Sequence, residues 1–343
     1  MRRCQSLKGC AHQSGMALLV VLMVVAVMAA IAVDITTQTR FLMARTSNQI
    51  DYNQSYWYGI GAENMAAGLL AQQLKADKNI NLSQPWAAYR KSPLLFGVDN
   101  YSMQILVNDL NACFNLNQLA ENDLKKQKVQ VNKYRDLLTL LNLELDLAES
   151  LSANVADFFD TNNAVMEQGT ESDVYASKKF PYLAANQPMV DISELRAVQG
   201  YSQLLYQALT DTAALQADAM PDPIVCALPD QTGLLNLNTI ALKNAALIGS
   251  FFKKPEKNNL LNTLKDRPLE GWASLDDFQA SFSKSELIKK TDLNISTVAG
   301  LTSKVFVFHI RVISENTTFI LDSVLYYNQE KVQVVKRRFG HQS

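Results

Sequence analysis

Ser14-Gly15-Met16-Ala17-Leu18-Leu19-Val20-Val21-Leu22-Met23-Val24-Val25-Ala26-Val27-Met28-Ala29-Ala30-Ile31-Ala32-Val33 is the stretch that decides the fold of this chain. From Met16 to Val33 no side chain is charged or strongly polar, and a helix of that length spans about 27 Å, close to the hydrocarbon thickness of a bilayer. The residues before it carry Arg2, Arg3 and Lys8 and no acid, so the positive-inside rule keeps them cytoplasmic and places everything after Asp34 on the outer side of the inner membrane. Ala30-Ile31-Ala32 also has the small-residue form of a signal-peptidase site, and cleavage there would release a periplasmic binding protein. Against that reading, Thr36 to Lys78 contains no proline and keeps apolar residues at helical spacing in Met65, Leu69, Leu70 and Leu74. A single long helix, half in lipid and half outside it, accounts for both halves.

The rest of the chain is long enough for a compound globular part. Over the full sequence 32 basic and 33 acidic residues leave a net charge of -1, which disfavours a general polyanion binder. Cys4 and Cys10 precede the apolar segment, whereas Cys113 and Cys226 lie far downstream. In an oxidising periplasm that second pair either forms one disulfide or stays as two buried thiols acting as small hydrophobes.

A short basic leader ending in Gly15, followed by an apolar helix, resembles the type IV pilin and pseudopilin family. The resemblance implies that a prepilin peptidase cuts after Gly15, that the new amine on Met16 is methylated, and that the helix is retained. Most pilins carry Glu as the fifth mature residue; this chain has Val20. A carboxylate in hydrocarbon is costly and is tolerated when it pairs with a neighbouring subunit's terminal ammonium. A subunit without it suits the first position of a fibre, and its absence is a mark of the K-type minor pseudopilins of type II secretion.

Further matches to that family run along the chain. Gly59-Ile60-Gly61-Ala62-Glu63 precedes a Leu-rich stretch ending at Asp77, and the two glycines are expected to kink the helix. A Pro- and Trp-bearing loop from Leu82 to Gly97 leads to an alternating strand at Tyr101 to Val107. The phrase Phe114-Asn115-Leu116-Asn117 has a later counterpart in Leu235-Asn236-Leu237-Asn238, and the two are read as borders of an inserted helical domain. Asn122 to Asp160 is helical in pattern, with Leu137, Leu138, Leu141, Leu145 and Leu147 as its apolar face; Ile192 to Leu209 is a second helical candidate. Val305 to Val312 and Phe319 to Tyr327 read as strands, with Lys331 to Val335 a third. The expected fold is therefore α+β: a type IV pilin-like long N-terminal helix packed on an antiparallel sheet, with a large inserted all-α domain. The divisions are a cleaved leader (1–15), a transmembrane half-helix (16–33), periplasmic helix and first part of the head (34–117), inserted helical domain (118–232), and second part of the head (233–343).

No enzymatic template is present. The three histidines, His12, His309 and His341, are scattered, and there is no Gly-x-Ser-x-Gly, phosphate loop, His-Glu-x-x-His or Cys-x-x-Cys. Leu235 to Thr239 followed by a helix also opens some helix-hairpin-helix DNA-binding modules, but Ile248-Gly249-Ser250-Phe251 lacks the second glycine such a phosphate-binding turn needs, so nucleic acid is not an expected partner. Hard oxygen donors cluster between Asp157 and Asp173, a pattern open to calcium. An EF-hand frame from Asp160 fails at Ala164 and Val165. The segment instead resembles a calcium-associated region of the K family, which implies Asp160, Asn162, Glu171 and Asp173 as ligands; Asn162 stands where the family has Asp. The alternative is a solvated acidic loop that caps helices. Trp57 and Trp86, with Tyr52, Tyr56 and Tyr58, either line a groove for partner helices or belong to the core. Lys336, Arg337 and Arg338 either meet an acidic partner or lipid headgroups, or are solvated. The resemblance implies the minor pseudopilins I and J as closest partners in a heterotrimeric tip complex, with the other pseudopilins and prepilin peptidase as further partners.

Overall fold

A computed structural model describes residues 14–76, 78–212, 214, 219–229, 233–252, 257–282, 295–315, 317–328 and 331–340. The leader cysteines Cys4 and Cys10, His12 and His341 lie outside the described residues. Helix α1 (Ser14–Ala76) runs unbroken for 63 residues, about 95 Å at 1.5 Å per residue. Its apolar side chains from Met16 to Ile50 are all exposed, and among the described residues it is the one helix long and apolar enough to cross a membrane. Beyond Asp51 one face turns inward, with Ala62, Ala66, Leu70 and Leu74 buried at helical spacing.

That face lies on a five-stranded antiparallel sheet in the order β1 (Leu94–Val98), β2 (Tyr101–Asp109), β7 (Val305–Ile313), β8 (Thr318–Tyr327), β9 (Val332–Phe339). Alternate residues meet the helix: Met103, Ile105 and Val107 from β2, Phe306, Phe308, Ile310 and Val312 from β7, Phe319, Leu321 and Leu325 from β8. Strand β1, read from sequence as part of a loop, forms because Asp99 at φ 51° turns the chain tightly enough to pair Val98 with Tyr101. The expected kink at Gly59 and Gly61 is absent. Gly59 instead makes room for a ring: a Cβ there would stand 2.9 Å from Phe319 Cε1, whereas Gly61 faces open space.

Between β2 and β7 the chain leaves the sheet and builds a helical domain. It enters through β3 (Phe114–Asn115), which pairs in parallel with β4 (Val225–Cys226), and closes through β5 (Leu235–Asn236), parallel to β6 (Ala299–Gly300). The two Asn-Leu-Asn phrases are structural counterparts. Asn115 and Asn236 each accept the amide two residues on, at 3.2 and 3.0 Å. Asn117 and Asn238 each clamp a distant backbone with both ends of the amide: Asn117 exchanges bonds with Met189, and Asn238 with Trp272.

Several boundaries differ from the sequence reading. Asn122 to Asp160 is two helices, α3 (Leu124–Leu140) and α4 (Leu145–Phe159), because Asn142 at φ 72° reverses the chain; α2 is the single turn Pro85–Ala88. Leu137 and Leu138 are core, but Leu145 and Leu147 are exposed on the outer face of α4. Ile192 to Leu209 is a 3-10 helix (Ile192–Ala197) and a separate α6 (Gln203–Thr210), interrupted at Gly200 with φ 90°; α5 is Ser172–Ala176. The helical domain also continues past residue 232. Leu237, Ile248, Leu260, Trp272, Phe278 and Leu301 share one buried cluster with Leu137, Leu151 and Tyr175, so most of 233–301 packs with the insertion and the head resumes at β7.

Candidate functional site

Gly15 and Met16 sit in the first turns of α1, ahead of the exposed apolar run that includes Val20. Cys113 and Cys226 are joined by a disulfide beside the β3–β4 pair, with Cα atoms 5.9 Å apart and both residues buried under Leu228 and Val305. This bond ties the entry of the helical domain to the end of its first half.

The acidic cluster is assembled from the end of α4 and the loop that follows. Asp157 lies in the last turn of α4, and Asp160 caps it. Asp157 accepts the Met166 amide on both carboxylate oxygens, at 3.2 and 3.1 Å. Gly169 approaches so closely that a Cβ would fall 1.9 Å from Asp157 Oδ2, which explains the glycine. Asp160 accepts from Gln127 Nε2 at 2.9 Å and from the Asn162 amide at 3.1 Å. The Asn162 side chain turns back onto the Ala164 amide at 2.7 Å, and Asp173 is exposed in the first turn of α5. Glu171 is buried; its Oε2 accepts the Ser172 amide at 3.2 Å, while Oε1 has no hydrogen-bond partner.

Asp157, Asp160 and Glu171 are thus buried acids, and none of the ion pairs among the described residues involves them. Burial, aided by the charges of Glu171 and Asp160, pushes the Asp157 carboxyl up to about 7 against the opposing amide bonds of Met166 and Thr170. Burial also raises Glu171, helped by Asp160 and Asp173. Uncompensated buried carboxylates are costly, so oxygen donors, net negative charge and an orphaned Glu171 oxygen together fit a hard divalent cation. Side chains as they stand are not drawn together at ligating distance: among the described residues no group of three or more His, Cys, Asp or Glu is so arranged. Asn162 is committed to its own turn and is the weakest of the expected ligands, whereas Asp157 is a fourth acid that its spacing of three residues before Asp160 would have picked out.

Other expected contacts resolve inside the molecule. Trp86 is core, packed edge-on to Phe306 at 5.5 Å, while Trp57 stands exposed on α1. The basic triplet is absorbed internally: Arg337 meets Glu63, Lys336 meets Asp191, and Arg338 reaches Asp191 and Asp322.

Residues 112–218, which contain the acidic cluster, match the family model described as Type II secretion system (T2SS), protein K. The type II secretion system protein K of Aeromonas hydrophila is 33% identical over 348 residues, covering 96% of this chain and 98% of the relative. The chain belongs to the type II secretion system protein K family. The protein K of Pectobacterium carotovorum subsp. carotovorum is likewise 33% identical, over 96% of this chain and 97% of its own. A chain from the crystal structure of the GspK–GspI–GspJ complex of enterotoxigenic Escherichia coli superposes with a TM-score of 0.76 at 28% identity, covering 87% of this chain and all of that one. As a protein K the chain is a pseudopilin of type II secretion, with a single apolar N-terminal helix suited to a membrane anchor.

Proposed function

We propose that this protein K occupies the tip of the type II secretion pseudopilus, joined to the minor pseudopilins I and J, and starts pseudopilus assembly for export of folded proteins across the outer membrane. The observation that carries the reading is the helical domain, residues 114–301, mounted on an otherwise pilin-like head. Such a bulk obstructs regular stacking along a fibre and is free of that obstruction at its end. Val20, lacking the carboxylate that would pair with another subunit's amine, agrees with the same position. The solved GspK–GspI–GspJ complex supports I and J as partners.

In this reading prepilin peptidase cleaves after Gly15 and Met16 is methylated, with the N-terminus cytoplasmic and the head periplasmic. Calcium is held by Asp157, Asp160, Glu171 and Asp173, with Asn162 supplying turn geometry, and it neutralises acids that have no basic partner. The Cys113–Cys226 disulfide forms in the periplasm. No catalytic step is assigned.

The test is to label the helical domain with gold in cells that assemble long pseudopili from their own subunits. Label at one end alone is expected; label spread along the fibre refutes the tip position. Intact mass of the membrane-extracted chain should give a methylated start at Met16. A soluble chain starting at Val33 would sink the pseudopilin processing.

A further inference from the structure

Strand β9 carries its three consecutive cations to two different bodies. Pleating sends Arg337, paired opposite Ser323, to the helix side of the sheet, where Nη2 and Nε meet Glu63 Oε1 and Oε2 at 2.7 and 2.9 Å. Glu63 is fully buried in α1 and also accepts the Ser323 hydroxyl. Lys336 and Arg338 point to the opposite side, where Lys336 Nζ meets the Asp191 carboxylate and donates to the Val190 carbonyl at 3.1 Å. Arg338 spans Asp191 Oδ1 at 3.6 Å and Asp322 Oδ2 at 3.4 Å, and Asp322 Oδ1 is 2.6 Å from His309 Nδ1. Asp191 is a fixed target, because it caps the 3-10 helix Ile192–Ala197 through a capping box with Glu194.

Apolar packing covers only part of the same interface, where Cys113, Cys226 and Leu228 lie on Val305, Val324 and Tyr326 of the sheet. Between the back of the sheet and the helical domain lies a cavity of about 170 Å³, lined by Leu110, Ile192, Met220, Val225, Val307 and Val324 among others. The opposite end of the interface is tied by the Cys113–Cys226 bond and by the Arg90–Asp222 ion pair. One end is therefore pinned and the other is held by charges across a gap.

We propose that Lys336, Arg337 and Arg338 act as a two-sided positioning strap, which sets the angle between the helical domain and the long helix by gripping Asp191 on one face and Glu63 on the other. The pairs with Asp191 are partly exposed, so each contributes little to global stability. Their role is orientation, and through it the direction in which the domain faces relative to the helix axis.

The experiment uses nitroxide pairs at Gln72→Cys on α1 and Lys125→Cys on α3 in the full chain, with Cys4 and Cys10 changed to Ser, and reads the distance distribution by pulsed electron spin resonance. The parent should give one narrow distance. The double variant Lys336→Gln/Arg338→Gln should broaden or shift it with the melting midpoint nearly unchanged. Arg337→Gln should also broaden or shift it but with a lowered midpoint, because it leaves the buried Glu63 carboxylate without its cation, while Lys336→Arg should keep it narrow. Raising salt from 0.1 to 1 M, which shortens the screening length from about 10 to 3 Å, should broaden the parent and leave the double variant as it is. A double variant as narrow as the parent overturns the proposal. Should a variant fail to fold, the parent's own salt response decides: a distribution indifferent to salt overturns the strap equally.

Discussion

Gly169 and Lys133 show how single residues carry the chemistry of the helical domain. A Cβ at Gly169 would overlap Asp157 Oδ2, so Gly169→Ala must displace that carboxylate from the cluster. If the acids hold calcium, terbium luminescence on the full chain should report a calcium affinity at least tenfold weaker for Gly169→Ala, and unchanged affinity leaves Asp157 outside the site. Lys133 is a buried ammonium on α3; among the described residues Nζ meets one acceptor, Gln130 Oε1 at 3.5 Å, and no carboxylate. Burial lowers its pKa to about 8. Between that value and its unfolded value near 10.4 the unfolded chain binds more protons, so this group makes stability rise with pH across the window and imposes its full penalty below it. Lys133→Met should raise stability at pH 7 by something on the order of 1–3 kcal/mol and remove that rise. Denaturant titrations at pH 7 and at pH 10 check both; a destabilised Met variant would mean that Lys133 has a partner.

At the scale of elements, the same helix gives opposite expectations for two neighbouring glycines. Gly61→Ala adds a methyl in open space and recovers helix propensity, a gain of about 0.5–1 kcal/mol. Gly59→Ala drives a methyl into the Phe319 ring, itself packed against Tyr52 and Tyr56, and should lose more than the propensity returns. Thermal melts of the two variants should move in opposite directions; a stabilised Gly59→Ala would mean that the ring can step aside. This contrast also marks how far the sequence could be read. The helix was legible because its period persists without proline, and β7 and β8 because alternation exposes their buried sides. The reach of the helical domain to Leu301 was not, since Trp272, Phe278 and Leu301 come from short helices and loops whose local pattern does not say which core they join. The acidic cluster was legible as a concentration of oxygen donors, but the Gly169 contact depends on a close approach that no spacing encodes. The fate of Lys336, Arg337 and Arg338 was hidden for a related reason: alternation says they diverge, and only the register of β9 says toward what.

The whole molecule is a long helix suited to a membrane anchor, a sheet and a helical domain in which long-range ties matter more than local propensity. The Cys113–Cys226 bond is the covalent one, and it closes a loop of 113 residues containing α3 to α6. Loop-closure entropy of that size stabilises the native state by about 4–5 kcal/mol. The helical domain shares one core across residues 114–301, so loss of the bond should lower the melting midpoint of the whole domain rather than unfold its first half alone. Cys113→Ser, Cys226→Ser and the double variant should behave alike, since each removes the same single constraint, and reductant should bring the parent to their level. Calorimetry of the full chain separates the alternatives. One transition shifted downward supports a domain unified by its core, whereas two transitions, with only the residues before Cys226 melting early, would make the second half an independent folding unit and place the mechanical coupling to the head in β5 and β6.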